Sequence, residues 1–187
     1  MDIRIQKTQA AIKNAFFELR AQKSVEKITV KELCQRAQIN KSTFYTHYDD
    51  IYALSDAMQA EAIAFVLGTI SLQEHSLRNP GAFTRAIYQA VFAHKALIDG
   101  LFAPHERTRL GNALEEGIRR VVYQNDPERR GDVELNILLS YSIQGAYHAY
   151  LNNQGVDQET LVRVIETINE TLRPLFGRAA QNHQKSP

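Results

Sequence analysis

Six polar side chains follow one another between positions 41 and 47, interrupted only by Phe44. They are Lys41, Ser42, Thr43, Tyr45, Thr46 and His47. Lysine and histidine can bind phosphate oxygens, while serine and threonine can touch base edges or a thymine methyl group. Tyr45 adds a ring and a hydroxyl, and an outward ring in such company has little packing purpose. This surface is typical of a nucleic-acid contact.

Two short helices joined by an abrupt turn are predicted to position this surface. Thr29 precedes an apolar-periodic segment and Glu32 follows three residues later, the pattern of a reciprocal capping box. Asn40 is a second N-cap candidate, only eleven positions after Thr29. The predicted inner faces are Leu33, Cys34 and Ala37 in the first helix, and Ile39, Phe44 and Tyr48 in the second. Helix, tight turn, helix is the geometry that places a second helix in a DNA major groove.

The segment from Thr29 to Tyr48 resembles the DNA-binding domain of TetR-family transcriptional regulators. Its pattern is a Thr cap, an Ala before the turn, a β-branched residue after it, and then Thr-aromatic-Tyr-x-His-aromatic. The resemblance implies that Lys31 and the outward face from Lys41 to His47 meet the operator and that Thr29 contacts a phosphate. We expect base contacts from Lys31, Thr43 and Tyr45, and phosphate contacts from Thr29, Lys41 and His47. The full set of predicted DNA-binding residues is Thr29, Lys31, Lys41, Ser42, Thr43, Tyr45, Thr46 and His47.

Two positions depart from the family pattern. The family usually has glycine in the turn, where this chain has Gln38, so a strained backbone or a different turn is expected. The family also usually has a lysine at the start of the fourth helix, where this chain has Ile51 after Asp49 and Asp50. One phosphate contact should therefore be missing, and DNA affinity should be lower or more sensitive to salt.

Charge is divided unevenly along the chain, although the net charge is only +1. Residues 1–48 contain nine Lys or Arg and four Asp or Glu, whereas residues 49–187 contain thirteen and seventeen. A basic N-terminal segment on an acidic remainder suits a protein that meets a polyanion at one end. The sequence therefore favours double-stranded DNA as a partner.

Several other classes of protein are disfavoured by what the sequence lacks. The one cysteine, Cys34, excludes an intramolecular disulfide and a cysteine-based metal cluster. No apolar stretch reaches the ~18 residues of a membrane span, and no signal peptide is recognised, so a cytoplasmic protein without membrane contact is expected. No nucleophile–base pair or phosphate loop is present, so we assign no catalytic residue, metal ligand or cofactor.

Helical periodicity continues along the rest of the chain and predicts an all-α fold of about nine helices. The first predicted helix covers residues 3–22, and two short helices follow between Thr29 and Tyr48. The others cover about 50–75, a segment that begins at residue 80, and residues 94–101, 104–124, 132–153 and 157–176. We expect a helix-turn-helix domain over residues 1–49, a helical effector-binding and dimerisation domain over 50–176, and a frayed tail over 177–187. The TetR-family architecture has the same order of helices.

The last two helices predict a homodimer. The first of them is apolar nearly all round and needs partners on two sides, one of which a second copy of the chain would supply. Burial of that helix within one subunit is the alternative. The predicted interface residues are Leu135, Leu139, Ala146, Tyr150, Leu161, Ile165, Ile168 and Leu172. A twofold dimer also predicts a palindromic operator.

Polar groups interrupt the apolar faces of the remaining helices and could line a pocket for a small effector. The candidates are Tyr88, His94, Phe102, Tyr123, Tyr141, Gln144, Tyr147 and His148. Because no Arg or Lys is expected on an inner face, the effector should be neutral or weakly polar. Its binding should tilt the helix that begins near Asp50 and so release a repressor from its operator. The alternative for each tyrosine is a core residue with a satisfied hydroxyl.

Two other kinds of function stay open. One is an enzyme or carrier built as a helical bundle, which the absence of catalytic spacing disfavours. The other is a DNA-binding protein without an effector, or a regulator that acts through a protein partner. A closed cavity lined by the tyrosines would favour small-molecule sensing, and a solid core would favour the alternative.

Overall fold

The computed structural model describes residues 3–70 and 77–177, and within these ranges all regular secondary structure is helical. The predicted all-α class is confirmed. The α-helices are α1 (Ile3–Arg20), α2 (Val30–Ala37), α3 (Lys41–Tyr45), α4 (Ile51–Gly68), α5 (Pro80–Ala93), α6 (Lys95–Leu101), α7 (Arg107–Asn125), α8 (Val133–Asn152) and α9 (Gln158–Thr171). Three 3-10 turns cover Val25–Lys27, Pro104–Glu106 and Pro127–Gly131. The predicted tail beyond Gly177 lies outside the described residues.

Helix α1 ends at Arg20 rather than at residue 22, and two other helices end well before their predicted limits. The helix predicted to reach about residue 75 ends at Gly68. There Thr69 Oγ1 donates to the carbonyl of Val66 at 2.7 Å, so the hydroxyl competes with backbone amides for this acceptor. The predicted helix to residue 176 breaks at Leu172. Pro174 has no N–H to continue the ladder, and a short helical stretch resumes over 173–177.

The helices form two compact units. The first unit runs to Ala62 and also contains Ala96–Arg107, whereas the second contains Ile63–Lys95 and the residues from Thr108 onward. Segment 96–107 belongs to the first unit because polar contacts hold it there. Gln59 Nε2 donates to the carbonyl of Leu101 at 3.0 Å, and Arg20 donates to the same carbonyl at 3.0 Å.

The first unit has a small apolar core to which each of its first four helices contributes. Its fully buried side chains include Ile12, Phe16 and Leu19 of α1, Leu33 of α2, Phe44 of α3 and Leu54 of α4. Burial of side chains of this size stabilises a fold by roughly 1.5–3 kcal/mol each, before the entropy cost of ordering is subtracted. This core fixes which faces of α2 and α3 remain outside.

The second unit is held together mainly by the packing of α5 against α9. Tyr88 of α5 packs with Leu161, Val162 and Ile165 of α9 in one buried cluster. A buried hydrogen bond of 2.8 Å from Asn169 Nδ2 to Thr84 Oγ1 adds a specific polar contact between the same helices. The predicted cap and first residue of α5 are confirmed, since Asn79 Oδ1 accepts from the amide of Ala82 and Pro80 occupies the first turn.

Candidate functional site

The turn between α2 and α3 is built by a cap at each helix start and a strained residue between them. Thr29 Oγ1 accepts from the amide of Glu32 at 3.2 Å, as predicted. The predicted reciprocal hydrogen bond, from the amide of Thr29 to the Glu32 carboxylate, is wrong, because that carboxylate pairs instead with the ammonium of Lys23. Gln38 stands in the left-handed region at φ 55° and ψ 42°, so the chain accepts a strain of about 1–2 kcal/mol where glycine would be free of it.

Helix α3 is only five residues long, and its two neighbouring aromatic rings are divided between core and solvent. Phe44 is 0% exposed, whereas Tyr45 is 54% exposed and meets the Phe44 ring edge-on at 5.5 Å between centroids. Lys41, Ser42 and Thr46 are also exposed, while Thr43 and His47 are partly buried. The short helix therefore presents the predicted polar face outward, with Phe44 as its anchor.

Hydroxyl groups on this face are held by hydrogen bonds within the segment. Asn40 Oδ1 accepts from the amide of Thr43, from Thr43 Oγ1 and from Ser42 Oγ, each at 2.7 Å. Thr46 Oγ1 donates to the carbonyl of Thr43 at 2.7 Å and lies 3.1 Å from that of Ser42. These contacts fix the three hydroxyls, because each is tied to an atom of the turn or of α3.

Much of the positive charge of the first unit is neutralised internally. Ion pairs join Lys13 to Glu61, Arg20 to Glu106, Lys23 to Glu32 and Arg36 to Glu18. Among the described residues, Lys27, Lys31 and Lys41 have no carboxylate partner and are all exposed. Lys27 lies in the 3-10 turn just before Thr29 and was not among the predicted contacts, although its charge beside the motif could have indicated it.

The start of α4 carries two carboxylates and a buried apolar residue rather than a lysine. Ile51 is buried in the core, so it offers nothing to a phosphate. Asp50 Oδ1 accepts from the amide of Ala53 at 2.7 Å and caps the helix, which explains a carboxylate at this position. Asp49 is exposed and adds negative charge beside the polar face.

No family model, curated protein or solved structure matches this chain. The site is therefore interpreted from its own geometry. Within residues 3–70 and 77–177, no group of three or more His, Cys, Asp or Glu side chains could hold a metal ion. No helix in the same ranges is long and apolar enough to cross a membrane.

The eight predicted effector residues are divided between the two units and differ in exposure. Phe102 belongs to the first unit, whereas the other seven belong to the second. Tyr141 and His148 are exposed. The Tyr88 hydroxyl donates to the carbonyl of Ala146 at 2.7 Å, and burial raises the pKa of Tyr88. The Tyr88 hydroxyl therefore already has a partner within the chain.

Three further members of the set act as structural residues. His94 caps α5 and donates from Nδ1 to the carbonyl of Ala90 at 2.9 Å. The Tyr147 ring lies against α7 at Gly111, where an added Cβ would stand 2.8 Å from the ring, so packing needs the glycine. The Tyr123 hydroxyl donates to Asn136 Oδ1 at 2.5 Å. For Tyr88 and Tyr123, the alternative of a core tyrosine with a satisfied hydroxyl describes the structure.

A polar network between α7 and α8 corrects the expectation that no Arg lies on an inner face. Arg119, whose side chain is 22% exposed, donates to Ser140 Oγ at 2.7 Å and to the carbonyl of Asn136 at 2.8 Å. Glu115 accepts from Ser140 Oγ at 2.6 Å and from Gln144 Nε2 at 2.8 Å. Burial raises the pKa of Glu115, but these hydrogen bonds and Arg119 outweigh burial and lower it overall. The network is internally neutralised.

The single chain buries or partly buries seven of the eight predicted dimer-interface residues. Leu135, Leu139, Leu161 and Ile165 are buried within the single chain, so they are not available to a second copy. Ala146 and Tyr150 pack on the same internal cluster, Leu172 is partly buried, and Ile168 alone of the eight is exposed. The residues of α8 that point outward lie two positions away from the predicted leucines.

An exposed apolar stripe runs along α8 and α9. On α8, Val133, Ile137 and Tyr141 follow at four-residue spacing and are 70%, 64% and 67% exposed. On α9, Val164 and Ile168 are 44% and 50% exposed at the same spacing. Single exposed apolar residues are ordinary, but five at four-residue spacing on two consecutive helices are typical of an interaction surface. We call these five residues the α8–α9 stripe.

Proposed function

We propose that this chain is a homodimeric DNA-binding transcriptional regulator of the TetR type. The observation that carries the proposal is the division of α3 between an anchoring Phe44 and an outward Tyr45 among polar side chains. An exposed ring with a hydroxyl, flanked by lysine, serine and threonine side chains, suits contact with a base edge or a sugar. The resemblance of the Thr29–Tyr48 segment to the TetR family points the same way.

Electrostatics supports DNA as the partner. Lys27, Lys31 and Lys41 flank or lie within the helix-turn-helix and carry charges that no described carboxylate neutralises. Much of the affinity of proteins for duplex DNA comes from releasing counterions at phosphates. Lysines without a carboxylate partner can therefore contribute to binding by neutralising phosphates. With Ile51 and Asp50 at the start of α4, binding should depend on few phosphate contacts.

A second copy of the chain is the proposed occupant of the α8–α9 stripe. Two helices with outward apolar residues at four-residue spacing can pack on their symmetry mates as a four-helix interface. The stripe carries no lysine or arginine, so it does not suit an acidic surface. A twofold dimer then requires two half-sites of DNA, and the operator should be palindromic.

The effector is the part of the function that the geometry supports least. The predicted residues are divided between the two units, and several of their polar groups already have partners within the chain. A small, largely apolar effector that releases a repressor from its operator therefore stays a prediction from the sequence. A helix-turn-helix protein without an effector, or one that acts through a protein partner, is the alternative.

Replacing Tyr45 by Ala tests the proposal at the exposed ring. We expect operator affinity to fall by ~1–3 kcal/mol, since one base contact is lost, while the melting temperature stays unchanged because the ring packs little. Tyr52→Ala is the matched control, because Tyr52 is 47% exposed on α4 and outside the polar face. If Tyr45→Ala melted the protein but kept its affinity, the assignment of faces would be wrong.

Replacing Lys27 or Lys41 by Ala should weaken binding to every DNA sequence alike. Each lost phosphate contact should reduce the slope of log affinity against log salt by about 1. Lys13→Ala is the control, since its ammonium is already bound by Glu61 at 2.6 Å. Anisotropy titrations of operator and unrelated DNA at several salt concentrations measure both quantities. An unchanged slope for Lys27→Ala would remove that residue from the interface.

A further inference from the structure

We propose that Ser42, Thr43 and Thr46 act only as hydrogen-bond acceptors and recognise the amino groups of adenine or cytosine. We also propose that Asn40, which no sequence pattern had assigned to DNA, is the positioning residue that imposes this preference. The inference rests on the proposed function, since it concerns how the same face distinguishes one base from another. It follows from where each hydroxyl proton is already engaged.

The orientation of the Asn40 side chain is fixed by a backbone group. The amide of Thr43 can only donate, and it lies 2.7 Å from Oδ1, so this atom must be the carbonyl oxygen. That oxygen has no proton of its own. Ser42 Oγ and Thr43 Oγ1, each 2.7 Å from it, must therefore donate their single protons to Asn40.

The Thr46 hydroxyl also donates its proton within the chain, but to backbone carbonyls rather than to Asn40. Its Oγ1 lies 2.7 Å from the carbonyl of Thr43 and 3.1 Å from that of Ser42. Carbonyl oxygens only accept, so the Thr46 proton is also engaged within α3. The three hydroxyls then offer lone pairs, and no proton, to any group that approaches from outside.

This arrangement selects between the groups that DNA exposes in the major groove. Phosphate oxygens, guanine O6 and N7, adenine N7 and thymine O4 are all acceptors, so they meet these hydroxyls unfavourably. Adenine N6 and cytosine N4 are donors and match them. The contacted strand should therefore carry adenine or cytosine opposite Ser42 and Thr43, rather than guanine or thymine.

Thr29 shows the opposite arrangement within the same motif. Its Oγ1 accepts from the amide of Glu32 at 3.2 Å, which leaves the hydroxyl proton free to donate. A phosphate oxygen is a suitable acceptor for that proton. The hydroxyl before α2 thus suits the backbone of DNA, whereas the hydroxyls around α3 suit base amino groups.

Substitutions of Asn40 separate positioning from simple helix capping. Asn40→Ala removes the shared acceptor, so Ser42 and Thr43 regain protons that they can donate to a keto oxygen. Asn40→Asp keeps an acceptor oxygen at the same place and should preserve the preference, with lower affinity for all DNA because of its charge. Loss of a cap alone would weaken binding to every sequence without changing which base is preferred.

The test begins with binding sites selected from random duplex DNA by the full-length protein. The base pairs that face the hydroxyls are those at which Ser42→Ala or Thr43→Val alters the selected sequence. Replacing adenine there by purine, which lacks the 6-amino group, should weaken wild-type binding by roughly 3- to 10-fold. Replacing it by 7-deazaadenine, which lacks only the N7 acceptor, should change nothing; for cytosine, pyrimidin-2-one removes the amino group.

Each outcome decides the matter. Sensitivity to the amino group, together with a relaxed preference in Asn40→Ala and a retained one in Asn40→Asp, supports the inference. A preference for guanine or thymine, sensitivity to 7-deazaadenine, or an unchanged preference in Asn40→Ala overturns it while leaving the proposed function intact. Failure to select any duplex sequence overturns the proposed function itself and the inference with it.

Discussion

Replacing Ile137 by Glu should convert the proposed dimer to monomers and reduce operator affinity on the order of 100-fold or more. Ile137 lies at the centre of the α8 part of the stripe and is 64% exposed in the single chain. Its replacement should leave the monomer folded, but in the dimer it would bury a carboxylate without a partner. Each monomer would then hold only one half-site, and the gain from binding both at once would be lost.

Sedimentation and operator titration of the same samples measure this prediction. Phe65→Glu is the matched control, since Phe65 is 59% exposed but lies on α4, outside the stripe. Leu139→Glu should instead unfold the chain, because Leu139 is internal. The account of the stripe would fail if the wild type sedimented as a monomer at micromolar concentration, or if Ile137→Glu remained a dimer.

Replacing Glu106 by Gln should destabilise the first unit by about 3–5 kcal/mol. The side chains of Glu106 and Arg20 are each only 4% exposed, and Glu106 Oε2 lies 3.0 Å from Arg20 and 2.7 Å from the amide of Ala103. Glutamine keeps the shape but leaves the guanidinium buried without its counter-charge. Chemical denaturation followed by circular dichroism gives the change in unfolding free energy.

A double-mutant cycle separates the pair from its surroundings. Arg20→Met should also be strongly destabilising, while Arg20→Met combined with Glu106→Gln should recover part of the loss because no charge then remains buried. Arg36→Ala is the control, since its pair with Glu18 is exposed and should contribute less than about 1 kcal/mol. Equal losses for the buried and exposed pairs would contradict the assigned role.

The helix-turn-helix could be predicted in detail because its determinants are local. Thr29 and Asn40 cap the helices that directly follow them, and a four-residue spacing turns Phe44 and Tyr48 to the same side. Residue type at one position and its near neighbours is enough for such features. Even here the partner of the Glu32 carboxylate was predicted wrongly, because Lys23 lies in an earlier turn of the chain.

The body of the chain was predicted less well because its contacts are distant in sequence. Helix α8 has apolar residues on two faces, and periodicity does not say whether Leu139 or Ile137 points inward. The burial of Arg119 between α7 and α8 likewise depends on Ser140 and Asn136, which only packing brings to it. The association of segment 96–107 with the first unit depends on Arg20 and Gln59, which are far away in the chain.

Selection of binding sites from random duplex DNA by the full-length protein tests the central claim most directly. We expect enrichment of a palindromic sequence whose half-sites are centred about 34–36 Å apart or a multiple of it, with one dimer bound per site. The same selection with Tyr45→Ala should give weaker enrichment and lose the preference at the base pair that the ring contacts, while Tyr52→Ala should recover the wild-type sequence. No enrichment by the wild type would contradict a DNA-reading function for this helix-turn-helix, and an unchanged preference at every base pair with Tyr45→Ala would contradict a base contact by Tyr45.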